Sequence, residues 1–180
     1  MTQFTLYTAE TASDEVNALF EKSINDFGMV PNLHAVMAEA PALLDSYQQV
    51  HTLFQSTSFN ADELTVVWQT INVEHKCHYC IPAHAAIAHM MNVDTSIVDS
   101  IIKEQPIADD KLEALRKTTL AMVRQRGVLS DSELKRFYEA GYELQQLLEI
   151  VLGISQKVMS NYTNHLINTP VDEPFKKFIS

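Results

Sequence analysis

The residues of this chain best suited to chemistry are concentrated in one run of eight, from Cys77 to His84. The run contains the only two cysteines of the sequence, three positions apart, and a histidine four residues after the second cysteine. A cysteine pair with this spacing can close a small disulfide, bind a metal ion jointly, or cycle between dithiol and disulfide. Each of these possibilities is a different function.

Pro82 indicates how the second cysteine is placed. Proline is tolerated in the first turn of a helix because the N–H that it lacks would be unpaired there, so a helix is predicted from about Cys80 to about Met91. At a helix N-terminus the free N–H groups and the helix dipole favour the thiolate form of a cysteine. His84 follows one turn later on the same face, where it can accept the thiol proton or pair with the thiolate.

Cys77 lies one turn before Cys80, so it is placed to attack a mixed disulfide or a sulfenic acid formed there. The motif therefore provides a nucleophile, a proton acceptor and a resolving thiol. A zinc site is the strongest competing interpretation, with His75 or His78 as the fourth ligand beside the two cysteines and His84. Structural zinc sites usually have a second, distant cysteine pair, which this chain lacks. Two packed thiols in a helical core are the remaining alternative.

Length and composition favour a single domain that folds without help from its cysteines. A chain of 180 residues with 46% hydrophobic and 20% charged residues is typical of a globular protein with a substantial core. No disulfide or zinc staple is needed at this size. The net charge of −10, without a cluster of Lys and Arg, argues against nucleic-acid binding.

The sequence also predicts where the protein works. The first residues do not resemble a signal peptide, and no stretch approaches the ~18 apolar residues of a membrane span. We therefore expect a cytoplasmic protein without a membrane partner. In a reducing compartment a Cys-x-x-Cys pair is more often catalytic or metal-binding than structural.

Helix signals recur along the chain, and no alternating pattern of a strand is present. Glycines at 28, 127 and 141 are predicted to end helices over residues 15–27, 111–126 and 131–140. Asn60-x-x-Glu63 and Ser130-x-x-Glu133 have the form of capping boxes, and Pro41 suits the first turn of a helix toward residue 55. We predict an all-α domain over residues 1–180, with about eight helices and short connections.

The C-terminal third of the chain carries three weaker signals. A long helix is predicted with one apolar core face at steps of three and four residues: Leu144, Leu147, Leu148, Val151, Leu152, Ser155, Val158, Met159 and Tyr162. The polar run 161–165 is interpreted as the end of that helix, and as a lining of the active site only in the second place. Residues 170–180 are predicted to form a tail that packs through Phe175 and Phe178 or onto a partner. Residues 64–67 and 148–151 are similar enough to allow an internal duplication, although two helices with similar core faces explain the likeness better.

The segment 60–91 resembles the AhpD-like family, which is also named for carboxymuconolactone decarboxylase. The residues that carry the resemblance are Asp62-Glu63-Leu64, the apolar helix that follows, and Cys77-His78-Tyr79-Cys80-x-x-x-His84. The resemblance implies an all-helical, usually oligomeric protein that reduces peroxides or exchanges disulfides through its thiols. It also implies that Cys80 reacts with peroxide, Cys77 resolves the product, and His84 belongs to a proton relay.

One position departs from the family pattern. Thr65 stands where the family has its relay glutamate, and a hydroxyl cannot act as a base near neutral pH. Glu63, Glu74 and Glu149 are the candidates to replace that carboxylate. Tyr79 is a further candidate, either to orient the substrate or simply to pack, and His78 is either a cavity residue or solvated.

The sequence as a whole thus predicts a thiol-dependent oxidoreductase that acts on a hydroperoxide or a disulfide. Its redox group is the Cys77–Cys80 pair, with no other cofactor, and a thiol or a dihydrolipoyl-type partner restores the dithiol. A homo-oligomer is expected. The alternatives are a non-catalytic redox sensor or structural oligomeric protein, in which the disulfide state changes an oligomer interface, and a decarboxylase-like activity on the same fold.

Overall fold

The computed structural model describes residues 4–179 and is all-helical over that range, as predicted. It has nine α-helices and one 3₁₀ helix there, so slightly more than the eight or so that we expected. The helices are α1 (Asp14–Phe27), α2 (Asn32–Met37), α3 (Pro41–Gln55), α4 (Ala61–Glu74), α5 (Cys80–Met90), α6 (Thr95–Ile102), α7 (Asp110–Gln125), α8 (Asp131–Glu139), α9 (Leu144–Ile167) and the C-terminal 3₁₀ helix (Glu173–Phe178).

The predicted helix boundaries are confirmed where local hydrogen bonding determines them. Asn60 and Ser130 each form a complete capping box with the glutamate three residues later. Gly28 ends α1 with φ of 73°, in the left-handed region that glycine adopts without strain. Pro41 begins α3, as expected for a residue that has no N–H to pair.

Helix α4 is the centre of the main core. It packs against α5, α6, α7 and α9, and its side chains are buried on every face from Glu63 to Asn72. Val66, Val67, Trp68 and Ile71 are at most 1% exposed. Burying each such side chain contributes about 1.5–3 kcal/mol, so the helix that leads into the cysteines is firmly held.

A second apolar cluster contains both cysteines. Phe20 of α1, Met37 of α2 and Leu44 of α3 pack together with Cys77 and Cys80, which are 0% and 1% exposed. Helices α1 to α3 therefore cover the thiols from the side opposite to the main core.

The apolar face predicted for α9 contributes to the core only in part: Leu147 and Leu152 pack against the main cluster and Met159 against the cluster with the cysteines. Leu144, Leu148, Val151 and Tyr162 are 48–61% exposed. The buried residues of this helix are mostly polar: Ile150, Gly153, Gln156, Lys157, Ser160, Asn161 and Asn164. The rest of the apolar face is exposed because this helix turns its polar face toward α3 and α4, where buried side chains supply its hydrogen bonds.

The C-terminal segment packs against α5 of the same chain. Its contacts include Phe175 and Phe178, the two aromatic residues predicted to hold it. Phe175 meets Tyr79 edge to face at 6.2 Å between ring centroids, and Phe178 lies 5.9 Å from His89 of α5. Asp172 anchors the segment by accepting hydrogen bonds from the Tyr79 hydroxyl at 2.5 Å and from the Asn32 N–H at 3.1 Å. Position 180 lies outside the described residues.

No helix within residues 4–179 is both long enough and apolar enough to cross a bilayer.

Candidate active site

The turn between α4 and α5 places the two sulfurs. The Cys77 N–H donates to the Asn72 carbonyl at 3.0 Å, directly after Lys76 in the left-handed region with φ of 53°. Helix α5 begins at Cys80, where Pro82 predicted it. The Cys80 N–H donates to the Cys77 sulfur at 3.4 Å, so one of the free donors at the helix N-terminus already points at a thiol.

Two amide side chains of α4 fix the first turn of α5. Asn72 Nδ2 donates to the Cys80 carbonyl at 3.3 Å, and Gln69 Nε2 donates to the Ile81 carbonyl at 2.9 Å. Asn72 and Gln69 are buried, so these bonds provide partners for side-chain amides that water does not reach. The register between the two helices, and with it the position of Cys80, is set by these contacts.

A cavity of about 240 Å³ lies beside the cysteines, and Cys80 rather than Cys77 lines it. Most of its wall is apolar or aromatic: Phe27, Met29, Leu33, Tyr47, Tyr79, Ala83, Ile87, Met90, Phe175 and Phe178. Three buried histidines, at 34, 51 and 84, provide nitrogen atoms in that wall. The C-terminal 3₁₀ helix contributes to the wall, so a ligand in the cavity would lie between α5 and that helix.

The surroundings of the two sulfurs favour a thiolate on Cys80. Burial alone would raise the pKa of Cys80, but hydrogen bonding with Cys77 and the positive charge of Lys157 outweigh burial and lower this pKa to about 5. Asn164 Nδ2 donates to the Cys80 sulfur at 3.3 Å and approaches the Cys77 sulfur at 3.9 Å. The hydrogen bond with Cys80, together with burial, raises the pKa of Cys77, which keeps its proton.

Lys157 is a site residue that the sequence interpretation missed. Its side chain is 0% exposed, and its Nζ lies 2.7 Å from Nε2 of His84. Burial lowers the pKa of Lys157, and the charges of Cys80 and Cys77 oppose that effect. Burial, and then the charge of Lys157, lowers the pKa of His84 well below its usual range, so the imidazole is neutral.

The other two histidines of the cavity are also neutral. His34 bonds through Nδ1 to the Ser23 hydroxyl at 2.8 Å, and His51 accepts from Gln156 Nε2 at 2.8 Å. Burial is the main cause that lowers their pKa values, to about 3 for His34 and about 4 for His51. The histidines therefore offer the cavity neutral donors and acceptors.

The structure does not place Thr65, or any of the three glutamates that could replace the family's relay residue, in the cavity wall. Thr65 is buried on α4, whereas Glu63 caps that helix and pairs with Lys111 at 3.2 Å. Glu74 is bound by both guanidinium nitrogens of Arg124 at 2.8 Å, and Glu149 accepts from the Ser58 N–H at 3.1 Å. None of the four lines the cavity. Lys157, not a carboxylate, is the charged group beside His84.

The histidines and the tyrosine around the motif have other partners. His78 Nε2 bonds the Thr169 carbonyl at 3.0 Å, and His75 Nδ1 bonds Asn161 Oδ1 at 2.9 Å. Tyr79 lines the cavity and also ties it to the C-terminal segment through Asp172. Within residues 4–179, no group of three His, Cys, Asp or Glu side chains could hold a metal ion, so the ligand set proposed for zinc is not assembled.

The polar run 161–165 lies in the last two turns of α9, as predicted, but part of it is buried. Helix α9 continues to Ile167, and Asn161 and Asn164 are both 0% exposed. Asn164 contacts the sulfurs from behind instead of lining the cavity. One signal could have found this face, because the polar positions 156, 157, 160, 161 and 164 recur at helical spacing.

The sequence matches no family model and no curated protein. Solved structures match it closely in three dimensions. A peroxidase-related protein of Ralstonia eutropha JMP134, described as an alkylhydroperoxidase AhpD core, superposes with a TM-score of 0.82 at 15% identity, over 97% of this chain and 96% of that one. The chain has the AhpD-like fold.

Two further structures share this fold. A peroxidase-related protein of Silicibacter sp. TM1040 has a TM-score of 0.77 at 16% identity, over 98% of this chain and 97% of its own. The debrominase Bmp8 in complex with 2,3,4-tribromopyrrole has a TM-score of 0.83 at 14% identity, over 99% and 96%. Peroxidase-related and debrominating proteins thus have the same architecture, so the activity has to be argued from the residues of the site.

Proposed function

We propose that this chain is a thiol-dependent oxidoreductase that transfers two electrons from its cysteines to a small organic substrate. The observation that carries the proposal is the difference between the two cysteines at the cavity. Both are buried, 1% exposed for Cys80 and 0% for Cys77, but only Cys80 lines the apolar cavity. Cys80 can therefore contact a substrate in the cavity, whereas Cys77 can react only with the product that forms on Cys80.

With an organic hydroperoxide the reaction has two steps. The Cys80 thiolate attacks the terminal oxygen, the O–O bond breaks, and a sulfenic acid and an alkoxide form; the alkoxide takes up one proton to become the alcohol. Cys77 then displaces the oxygen of the sulfenic acid as water and closes the disulfide. The two thiols lose two electrons and the O–O bond gains them.

The wall of the cavity supports a neutral organic substrate. It is largely apolar, and its three buried histidines are uncharged. A disulfide substrate would use the same residues, since the Cys80 thiolate would then attack sulfur instead of oxygen. We further propose that a small thiol or a dihydrolipoyl-type carrier of the cytoplasm restores the dithiol. The exposed apolar side chains of α9 support the expected homo-oligomer.

Reductive dehalogenation is a second candidate. It is favoured by the apolar, partly aromatic cavity together with the structural likeness to a debrominase bound to a halogenated pyrrole. The oxidation of two thiols to a disulfide also supplies the two electrons and two protons that this reaction needs. The carbon–halogen bond breaks, a carbon–hydrogen bond forms, a hydrogen halide leaves, and the cysteines become a disulfide.

The test is an intact-mass measurement on the reduced protein after one equivalent of cumene hydroperoxide, repeated with a brominated pyrrole. We expect the wild-type chain to lose two hydrogens as Cys77 and Cys80 join. Cys77→Ser is expected to stop after gaining one oxygen, and Cys80→Ser to remain unchanged.

The outcomes separate the candidates. Oxidation by the hydroperoxide alone supports the peroxidase reaction, and oxidation accompanied by halide release supports dehalogenation. If both serine variants were oxidised as the wild type is, the Cys77–Cys80 mechanism would be wrong. A slow, unselective oxidation that changes only the assembly state would support the redox-sensor alternative instead.

A further inference from the structure

Lys157 is a fully buried cation that no carboxylate neutralises. No Asp or Glu of residues 4–179 forms an ion pair with it, and its hydrogen-bond partner is Nε2 of His84 at 2.7 Å. An isolated ammonium in a protein interior is costly unless an opposite charge offsets it. The sulfurs of Cys80 and Cys77 interact with the charge of Lys157, so a thiolate is the available counter-charge.

Lys177 and His89 also line the cavity, but both are exposed. The buried ionisable groups around Cys80 carry no charge that could replace Lys157: they are Cys77 before α5, Tyr79 and His84 at and within α5, His34 of α2, and Tyr47 and His51 of α3. Burial keeps the three histidines neutral and the two tyrosines protonated. Since none of these buried groups is positively charged, the positive charge beside Cys80 is that of Lys157 on α9.

The same lysine decides the tautomer of His84. An ammonium has only protons to give, so Nε2 of His84 must accept, and the ring proton must then lie on Nδ1. That Nδ1 is buried and has no hydrogen-bond partner within the described residues, although the ring lines the cavity. A buried N–H without an acceptor is unfavourable, so a molecule in the cavity that offered an acceptor to Nδ1 would relieve this cost.

We propose that Lys157 is the positioning residue of this site, which holds the Cys80 thiolate by its charge and fixes His84 as the Nδ1–H tautomer that protonates the leaving group. The inference rests on the proposed function. When the Cys80 thiolate takes the terminal oxygen, the alkoxide takes the proton from His84 Nδ1. His84 Nε2 in turn takes one from the Lys157 ammonium, which becomes a neutral amine.

This step balances in atoms and charge. A thiolate, an ammonium and a hydroperoxide become a sulfenic acid, an amine and an alcohol, so both buried charges disappear together. Closure of the disulfide by Cys77 then releases water and needs no further proton. Reduction of the disulfide by an external dithiol returns the Cys80 thiolate and the proton of Lys157. A relay that starts at an ammonium therefore donates a proton, whereas one that ends at a carboxylate accepts it.

The first test is the pH dependence of Cys80 alkylation by iodoacetamide, with the modified residue identified by mass spectrometry. Lys157→Met replaces the ammonium by an apolar group of similar length. We expect the midpoint of alkylation to move up by at least about one pH unit, and the rate at pH 6 to fall about twofold or more. Lys103→Met removes the same charge from the exposed end of α6 and is expected to leave the profile unchanged. An unchanged midpoint in Lys157→Met would overturn the inference.

The second test needs no variant, so it remains decisive if Lys157→Met fails to fold. Nitrogen NMR of the wild-type chain with labelled histidine reports which ring nitrogen of His84 carries the proton. We expect the proton on Nδ1 at neutral pH, and a proton on Nε2 would contradict the role of Lys157. Neither test uses peroxide, so both can succeed while the peroxidase reaction fails, and the serine variants can support that reaction while the role of Lys157 fails.

Discussion

Cys77 and Cys80 carry the same functional group, yet their surroundings favour opposite protonation states. Cys80 lies at the first residue of α5 and receives a hydrogen bond from Asn164, while Lys157 supplies a positive charge nearby. Cys77 is enclosed and shares its proton with the neighbouring sulfur, which raises its pKa. A nucleophile that is ionised and a resolving thiol that is protonated until it is needed are what a two-step dithiol reaction requires.

Asn164→Leu tests the contribution of a single donor at the residue scale. The Asn164 amide donates to the Cys80 sulfur at 3.3 Å, and hydrogen bonds to charged groups contribute about 1.5–3 kcal/mol. Removing it should therefore raise the pKa of Cys80 by about one unit or more. The ultraviolet absorbance of the thiolate, measured against pH, reports the change. Ser155→Ala on the exposed side of α9 is the control, and equal titration curves for the two variants would contradict the assigned contact.

At the scale of elements, the site depends on how closely α9 approaches the core. Gly153 allows this approach, since a Cβ added there would lie 2.8 Å from Cε2 of Phe54 and 3.0 Å from Cγ1 of Val67. Phe54 and Val67 are both 0% exposed, so the added methyl group would press on packed core side chains. The close contact brings the following turn of α9, with Lys157, to His84 of α5.

Gly153→Ala should therefore destabilise the protein, although alanine is the better helix former by about 1 kcal/mol. The methyl group overpacks the core, which typically costs about 1–3 kcal/mol. Urea unfolding followed by circular dichroism measures the change, with Ser155→Ala as the control for helix propensity on the same helix. A Gly153→Ala protein that is more stable than the wild type would show that α9 does not approach the core this closely.

The C-terminal 3₁₀ helix is the second element on which the cavity depends. Its phenylalanines form part of the wall, and Asp172 connects it to Tyr79, the residue directly before Cys80. Burial raises the pKa of Asp172, against the hydrogen bonds that lower it. The cavity wall and the C-terminal segment are thus linked through the Tyr79 side chain.

At the scale of the whole molecule, the buried neutral histidines make stability depend on pH. The pKa values of His34 and His51 are lowered from 6.5 to about 3 and about 4. Below pH 6.5 the unfolded chain binds protons that the folded chain does not, so the free energy of unfolding decreases as the pH falls toward these values. At pH 5 the loss is about 2 kcal/mol for each histidine. The lowered pKa of Cys80 also makes the free energy of unfolding decrease as the pH falls from 9 to about 5.

His34→Gln separates the histidine contribution from the others. Glutamine keeps a hydrogen-bonding group near Ser23 but binds no proton, so the decrease in unfolding free energy between pH 7 and pH 5 should be smaller by about 2 kcal/mol. Urea unfolding at the two pH values measures it. The same decrease in the variant and the wild type would mean that His34 is protonated in the fold.

Several features of the site could be predicted because local interactions determine them. Pro82 and the helix rules placed Cys80 at the start of α5, since a first turn needs only neighbours within four residues. The capping boxes at Asn60 and Ser130 are local in the same way. Recognition of the short motif predicted the fold, which the structural comparison confirms.

The tertiary structure alone decided the charged partner of the motif. Lys157 meets His84 across 73 positions of sequence, and nothing near the cysteines indicates that a lysine is the nearby charge. Periodicity showed which residues of α9 share a face, but the buried face is the polar one, because partners on α3, α4 and α5 satisfy it and Gly153 lets it approach. The sequence by itself determined the thiols and the helix that begins at Cys80. Packing between distant helices decided which charge stabilises the thiolate, because that depends on contacts no local pattern encodes.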